Sequence, residues 1–77
     1  MDAEQIQTRI AAGLPCEHLK VEGDGRHWFA VIVSAQFEGK RPIARHQMVY
    51  ATLESEMQSE AVHALSMRTF TLAEWAA

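Results

Sequence analysis

Apolar positions recur along this chain with two different periods, and the switches between them mark its elements. Ala3, Ile6, Ile10 and Leu14 follow the three- and four-residue spacing of one helix face, until Gly13-Leu14-Pro15 stops the pattern. Asp2 stands three residues ahead of Gln5, the spacing of a capping box, so a first helix is expected from about Ala3 to Ala12. His18-Leu19-Lys20-Val21-Glu22 then alternates polar with apolar, and Gly23-Asp24-Gly25 supplies a glycine-rich turn. His27-Trp28-Phe29-Ala30-Val31-Ile32-Val33 completes a hairpin. This second strand is apolar on both faces, as a central strand covered on at least part of both sides would be.

Residues 35–41 read as a polar connection, and Pro42 suits the first turn of a helix, where its missing N–H would have no partner anyway. Ile43, His46, Tyr50, Leu53 and Met57 fall on one helical stripe with Val49 at its margin, and a break near Glu54-Ser55 would divide the stretch into two helices. Val62 to Phe70 reads as a third strand. Thr71 and Glu74 form another capping box, opening a last short helix that carries Trp75. Strands two and three are joined by a helical crossover, so they are expected to be parallel and the crossover right-handed. The expected fold is α+β: an αββααβ order with a short C-terminal helix, in which helices cover a three-stranded mixed sheet within one domain spanning residues 1–77.

Composition narrows the function classes. The chain has 77 residues, 48% hydrophobic and 22% charged, and no apolar run approaches the roughly 20 residues of a membrane helix. Met1 leads directly into Asp2-Ala3-Glu4-Gln5 without a basic start or an apolar core, so no signal peptide is expected. Cys16 is the single cysteine, which rules out an internal disulfide and fits a reducing cytoplasm. A formal net charge of -3 counts against nucleic acid as the default partner, because that affinity rests on neutralising phosphates. No GxSxG, P-loop or post-strand GxGxxG is present, and catalysis by this chain alone is not expected.

The histidines carry the remaining chemistry. His27 begins strand two and His63 lies near the start of strand three; in neighbouring parallel strands about 5 Å apart, both would project from the same end of the sheet. Neutral imidazoles suit borderline metals, yet two ligands do not close a site, and no CxxC, HExxH or HxxxH spacing supplies more. The two therefore read either as half of a metal site completed by a second protein or as polar strand-end residues. His46 lies within the apolar stripe and reads as a packing histidine; His18 reads as solvent-facing. Cys16 is expected at the opposite end of the sheet as a small apolar residue. Lys40, Arg41 and Arg45 gather at the start of the second long helix, where positive charge is unfavourable to the helix dipole. They suit a phosphate or an acidic partner, or are simply solvated.

Three segments, VEGDGRHWFAVIVS, FEGKRPIARHQMVY and VHALSMRTFTLAEW, taken in order and spacing, resemble the three characteristic segments of the BolA family, and the resemblance runs from about Ile6 to Trp75. It implies a fold similar to a class II KH domain, without the GxxG loop by which KH domains clamp nucleic-acid backbone. It also implies a monothiol glutaredoxin partner and a shared [2Fe-2S] cluster. The glutaredoxin would supply a cysteine and a bound glutathione thiolate, while His63 and His27 match the family's two ligand positions. The isolated chain would then carry no cofactor and be a monomer or a weak homodimer. Arg45 and His46 match the family's Arg-His pair, which implies partner contact for the first and packing for the second. The family's other implied role is stress-responsive transcription regulation, with Lys40, Arg41 and Arg45 contacting DNA phosphates.

Overall fold

The computed structural model describes residues 2–53 and 65–77. The Asp2 carboxylate accepts the Gln5 N–H at 2.8 Å and the Gln5 side chain accepts the Asp2 N–H at 2.9 Å, so the capping box satisfies two helix-end donors at once. Helix α1 (Ala3–Gly13) follows, burying Ile6 and Ile10. Its apolar stripe continues into buried Leu14, whose N–H bonds back to the Ile10 carbonyl.

Strands β1 (His18–Gly23), β2 (Trp28–Val33) and β3 (Leu65–Phe70) form one mixed sheet in the order β1-β2-β3. β1 pairs antiparallel with β2, and β2 pairs parallel with β3, as a helical crossover requires. The register sets Gly23 and Leu65 on either side of Trp28, and Leu19 and Thr69 on either side of Ile32. Because side chains alternate along a strand, Trp28, Ala30 and Ile32 share one face and join the core with Ile6, Ile10, Leu14, Val49 and Leu53.

Among the described residues, the other face of the sheet is covered at one end. Helix α3 (Leu72–Ala76) starts at the expected Thr71–Glu74 capping box and lays Trp75 over the sheet. The indole stacks on His18 with ring centroids 5.0 Å apart and meets Phe70 at 5.2 Å. His18 and Phe70 flank Val33 in the register, and Val33 is fully buried. Four residues earlier on the same face, Phe29 is 43% exposed. The doubly apolar character of β2 thus reflects partial cover on its second side. His18 is exposed as expected, with the added role of an aromatic seat for Trp75.

Helix α2 (Pro42–Thr52) starts with proline at its first turn. Its buried stripe keeps the expected Leu53 and the marginal Val49 but is turned to run through Arg45, and Ile43 is 70% exposed. At about 100° per residue, this stripe is rotated by roughly 90° from the one through Ile43, His46 and Tyr50. An arginine on the core side is tolerated because each of its three nitrogens donates a hydrogen bond. Arg45 donates to the Lys40 carbonyl at 2.8 Å, to the Glu74 carboxylate at 2.8 and 3.4 Å, and to the Thr69 carbonyl at 3.4 Å, with its guanidinium over the Phe37 ring. His46 and Tyr50 are half-buried at the margin, consistent with packing for His46. Between β2 and α2 lies a short 3₁₀ turn, Ala35–Phe37, capped by Ser34 and anchored by buried Phe37. The expected helix break at Glu54-Ser55, the Met57 stripe position and the first residues of the third strand, Val62 to Ala64, lie outside the described residues.

The bond from Arg45, followed by the Thr71 backbone N–H, holds the Glu74 carboxyl below its ordinary value of 4.5. A carboxyl with a depressed folded pKa contributes stability that is present above its unfolded value and lost as pH falls through the folded one. Wild type should therefore melt at a higher temperature than Glu74→Gln above about pH 4.5, and the gap should close on further acidification, as followed by circular dichroism melting.

Candidate functional site

The turn between β1 and β2 is built by one aspartate. Asp24 Oδ1 accepts the N–H groups of Arg26 and His27, each at 2.9 Å, and the Asp24 N–H donates to the His27 carbonyl at 3.2 Å. Those bonds hold the Asp24 carboxyl below its ordinary value of 3.8, the His27 N–H contributing most. Gly25 has φ +92°, a backbone conformation that costs other residues strain. Gly23 answers a different need: a Cβ there would sit 2.4 Å from Trp28 Cδ1 and 2.6 Å from the His27 carbonyl oxygen. The turn can close against the indole only because that atom is missing.

His27 is the last residue of the turn rather than the first of the strand, and it is exposed. It lines a shallow open depression together with Asp24, Trp28, Phe29 and Ser66 of β3. Trp28 forms the buried wall, and its indole N–H finds no acceptor among the described residues. The register extends the same end of the sheet to β3, since Trp28 pairs with Leu65. His63 lies outside the described residues, two positions ahead of Leu65 in the sequence. Among the described residues, no three His, Cys, Asp or Glu side chains gather to hold a metal ion. One exposed imidazole in an open depression does not fit an enclosed structural ion, but it fits a donor to a metal centre whose other ligands come from elsewhere.

The other expected positions lie at the far end of the sheet. The N–H of Glu17 bonds the Val33 carbonyl at 2.8 Å, so its neighbour Cys16 is at the opposite end of β2 from His27, roughly 20 Å away for a six-residue strand. The Cys16 thiol is half-buried and bonded to the Leu14 carbonyl; burial, aided by Glu17, pushes its pKa up, which is the reverse of a reactive thiolate. Lys40 and Arg41 are exposed where α2 begins, and Arg41 makes no side-chain cap bond there. Arg45 does not join them on the surface. At 8% exposure and with its donors committed inside the chain, it is placed as a fold residue rather than the expected partner contact. Asp24 is the site residue that sequence reasoning missed, although an aspartate in a glycine-rich turn is the usual builder of this hydrogen-bonded loop.

Comparison with known proteins agrees with this architecture. The family model described as BolA-like protein matches residues 6–74. The chain is 45% identical over 85 residues to the DNA-binding transcriptional regulator BolA of Escherichia coli K12, a match covering 97% of this chain and 80% of that protein. It is 32% identical over 76 residues to the acid stress protein IbaG of the same organism, covering 99% and 90%. Among solved structures, a bolA protein homologue from Coxiella burnetii superimposes with a TM-score of 0.86 at 38% identity, covering 100% of this chain and 99% of that one. The chain belongs to the BolA-like family.

Gly23→Ala tests the close approach that shapes the turn. Crowding against Trp28 and the His27 backbone should cost about 1–3 kcal/mol, measured as a lower urea midpoint with an unchanged slope.

Proposed function

We propose that the chain is an adaptor that pairs with a monothiol glutaredoxin and co-ligates a [2Fe-2S] cluster through His27 and His63, in iron-sulfur cluster trafficking or redox sensing. The observation that carries this reading is the exposed His27 just before the start of β2, beside the start of β3, in an open depression where the described residues supply no set of further ligands. In the sequence, His63 precedes Leu65, the β3 partner of Trp28, by two residues. A cysteine and a glutathione thiolate from the partner would complete the iron coordination. When bound, the cluster supplies one-electron redox chemistry at a potential raised by exchanging thiolate for neutral imidazole. The chain's own part is to present the imidazoles, with the exposed Phe29 ring beside the depression that His27 lines.

A second reading, DNA-binding transcription regulation, is favoured by the name of the Escherichia coli relative and by the exposed Lys40 and Arg41 at the start of α2. The inward-facing Arg45 and the net charge of -3 weigh against it.

The readings separate on two substitutions. On mixing with a cluster-loaded monothiol glutaredoxin, wild type should change the visible circular dichroism of the cluster, and His63→Ala or His27→Ala should abolish that change, while Arg41→Ala leaves it intact. DNA binding that falls about tenfold or more with Arg41→Ala and declines steeply with salt, alongside a cluster spectrum indifferent to both histidines, would establish the second reading instead.

A further inference from the structure

Asp24 holds His27 from both sides of its main chain. Its carboxylate accepts the His27 N–H at 2.9 Å, and its own N–H donates to the His27 carbonyl at 3.2 Å, while the same carboxylate oxygen takes the Arg26 N–H at 2.9 Å. The segment so held joins Gly23 to Trp28, the last pair of the β1–β2 ladder. On the strand side, the buried Trp28 indole and a glycine that admits no Cβ fix the base of the turn. Gly25, at φ +92° with open space around it, closes the turn without meeting another side chain. The turn is exposed throughout, so no core packing holds it in shape, and the aspartate bonds do that work.

From this geometry we infer that Asp24 is a positioning residue for the metal site: by fixing the His27 main chain it sets the direction of the Cα–Cβ bond that carries the imidazole before a partner arrives. The inference rests on the reading of His27 as a ligand. A histidine on an unbraced four-residue loop would sample many directions, and the ordering would be paid for at the moment of ligation. With N–H and C=O both fixed, only the His27 side-chain torsions remain free. Asp24 does not touch the metal. It acts as the residues behind metal ligands act, and removing such a residue typically weakens metal binding by about ten- to a hundredfold.

The hydrogen bonds need an acceptor oxygen and not a negative charge, which defines the test. Asp24→Ala removes the acceptor, whereas Asp24→Asn keeps an oxygen at the same place. Each variant is titrated into cluster-loaded monothiol glutaredoxin, with visible circular dichroism as the spectroscopic readout and amide ¹⁵N relaxation of residues 24–27 in the isolated chain beside it. We expect Asp24→Ala to weaken the spectral change by about tenfold in concentration, with fast motion appearing at 25–27, and Asp24→Asn to restore both towards wild type. The melting temperature is recorded for each, and a folded Asp24→Ala chain with the weakened spectrum is the supporting result. If Asp24→Ala matches wild type while His27→Ala abolishes the spectrum, the positioning role is overturned and the ligand reading survives. An Asp24→Asn chain as weak as Asp24→Ala would overturn it too, because charge would then be what matters. If His27→Ala also leaves the spectrum unchanged, the ligand reading itself fails and the positioning role with it.

Discussion

The central strand is the constraint on which the rest of this molecule depends. β2 pairs on both edges, antiparallel to β1 and parallel to β3, and its period-two alternation assigns every residue to one of two faces. One face closes on α1 and α2 through Trp28, Ala30 and Ile32. A shift of one residue in either ladder would turn these three outward and bring Phe29 and Val31 into the core, so burial and register enforce each other. The same register decides where chemistry can occur. It fixes His27 beside the start of β3 and sends Cys16 and the first turn of α2 to the other end.

The second face of β2 shows how a chain of 77 residues manages a sheet that it cannot cover twice. A five-residue helix does part of the job, and so short a helix does not hold itself together. Its place is set from outside: by the capping box at Thr71 and Glu74, by the Arg45 guanidinium on Glu74, and by Trp75 stacked on His18. Arg45 also bonds the carbonyls of Lys40 and Thr69, so one side chain ties together the loop before α2, the end of β3 and α3. The end of the sheet away from His27 is thereby closed. At the His27 end, Phe29 is exposed beside a shallow depression, so among the described residues the two ends are covered unequally.

Most of this order was legible from the pattern of residues. Both capping boxes, the hairpin, the proline at the start of α2 and the parallel pairing follow from local spacing or from chain connectivity, which act within a few residues or through one crossover. The α2 face was legible only in part: Leu53 and Val49 are buried as the stripe suggests, but hydropathy assigns an isoleucine to the core and an arginine to water. Here Arg45 is buried only because Glu74, twenty-nine residues away, and two carbonyls satisfy it, and no periodicity contains that information. The stacking of His18 on Trp75 is hidden for the same reason: it joins the first strand to the last helix. At the candidate site, the approximate position of His27 could be read from the strand pattern. The grip of Asp24 on it is a matter of turn geometry, which a glycine-rich stretch announces without specifying.

In the proposed function, an imidazole of this chain binds iron in a cluster held jointly with another protein. Electron-nuclear double resonance on the reduced complex tests it most directly, using chain labelled with ¹⁵N only at histidine and an unlabelled glutaredoxin partner. Ligation by this chain should give the strong ¹⁵N hyperfine coupling of a directly bound ligand, and the coupling should disappear when both His27 and His63 are replaced. A cluster spectrum without any such coupling, in a complex that still forms, would contradict it.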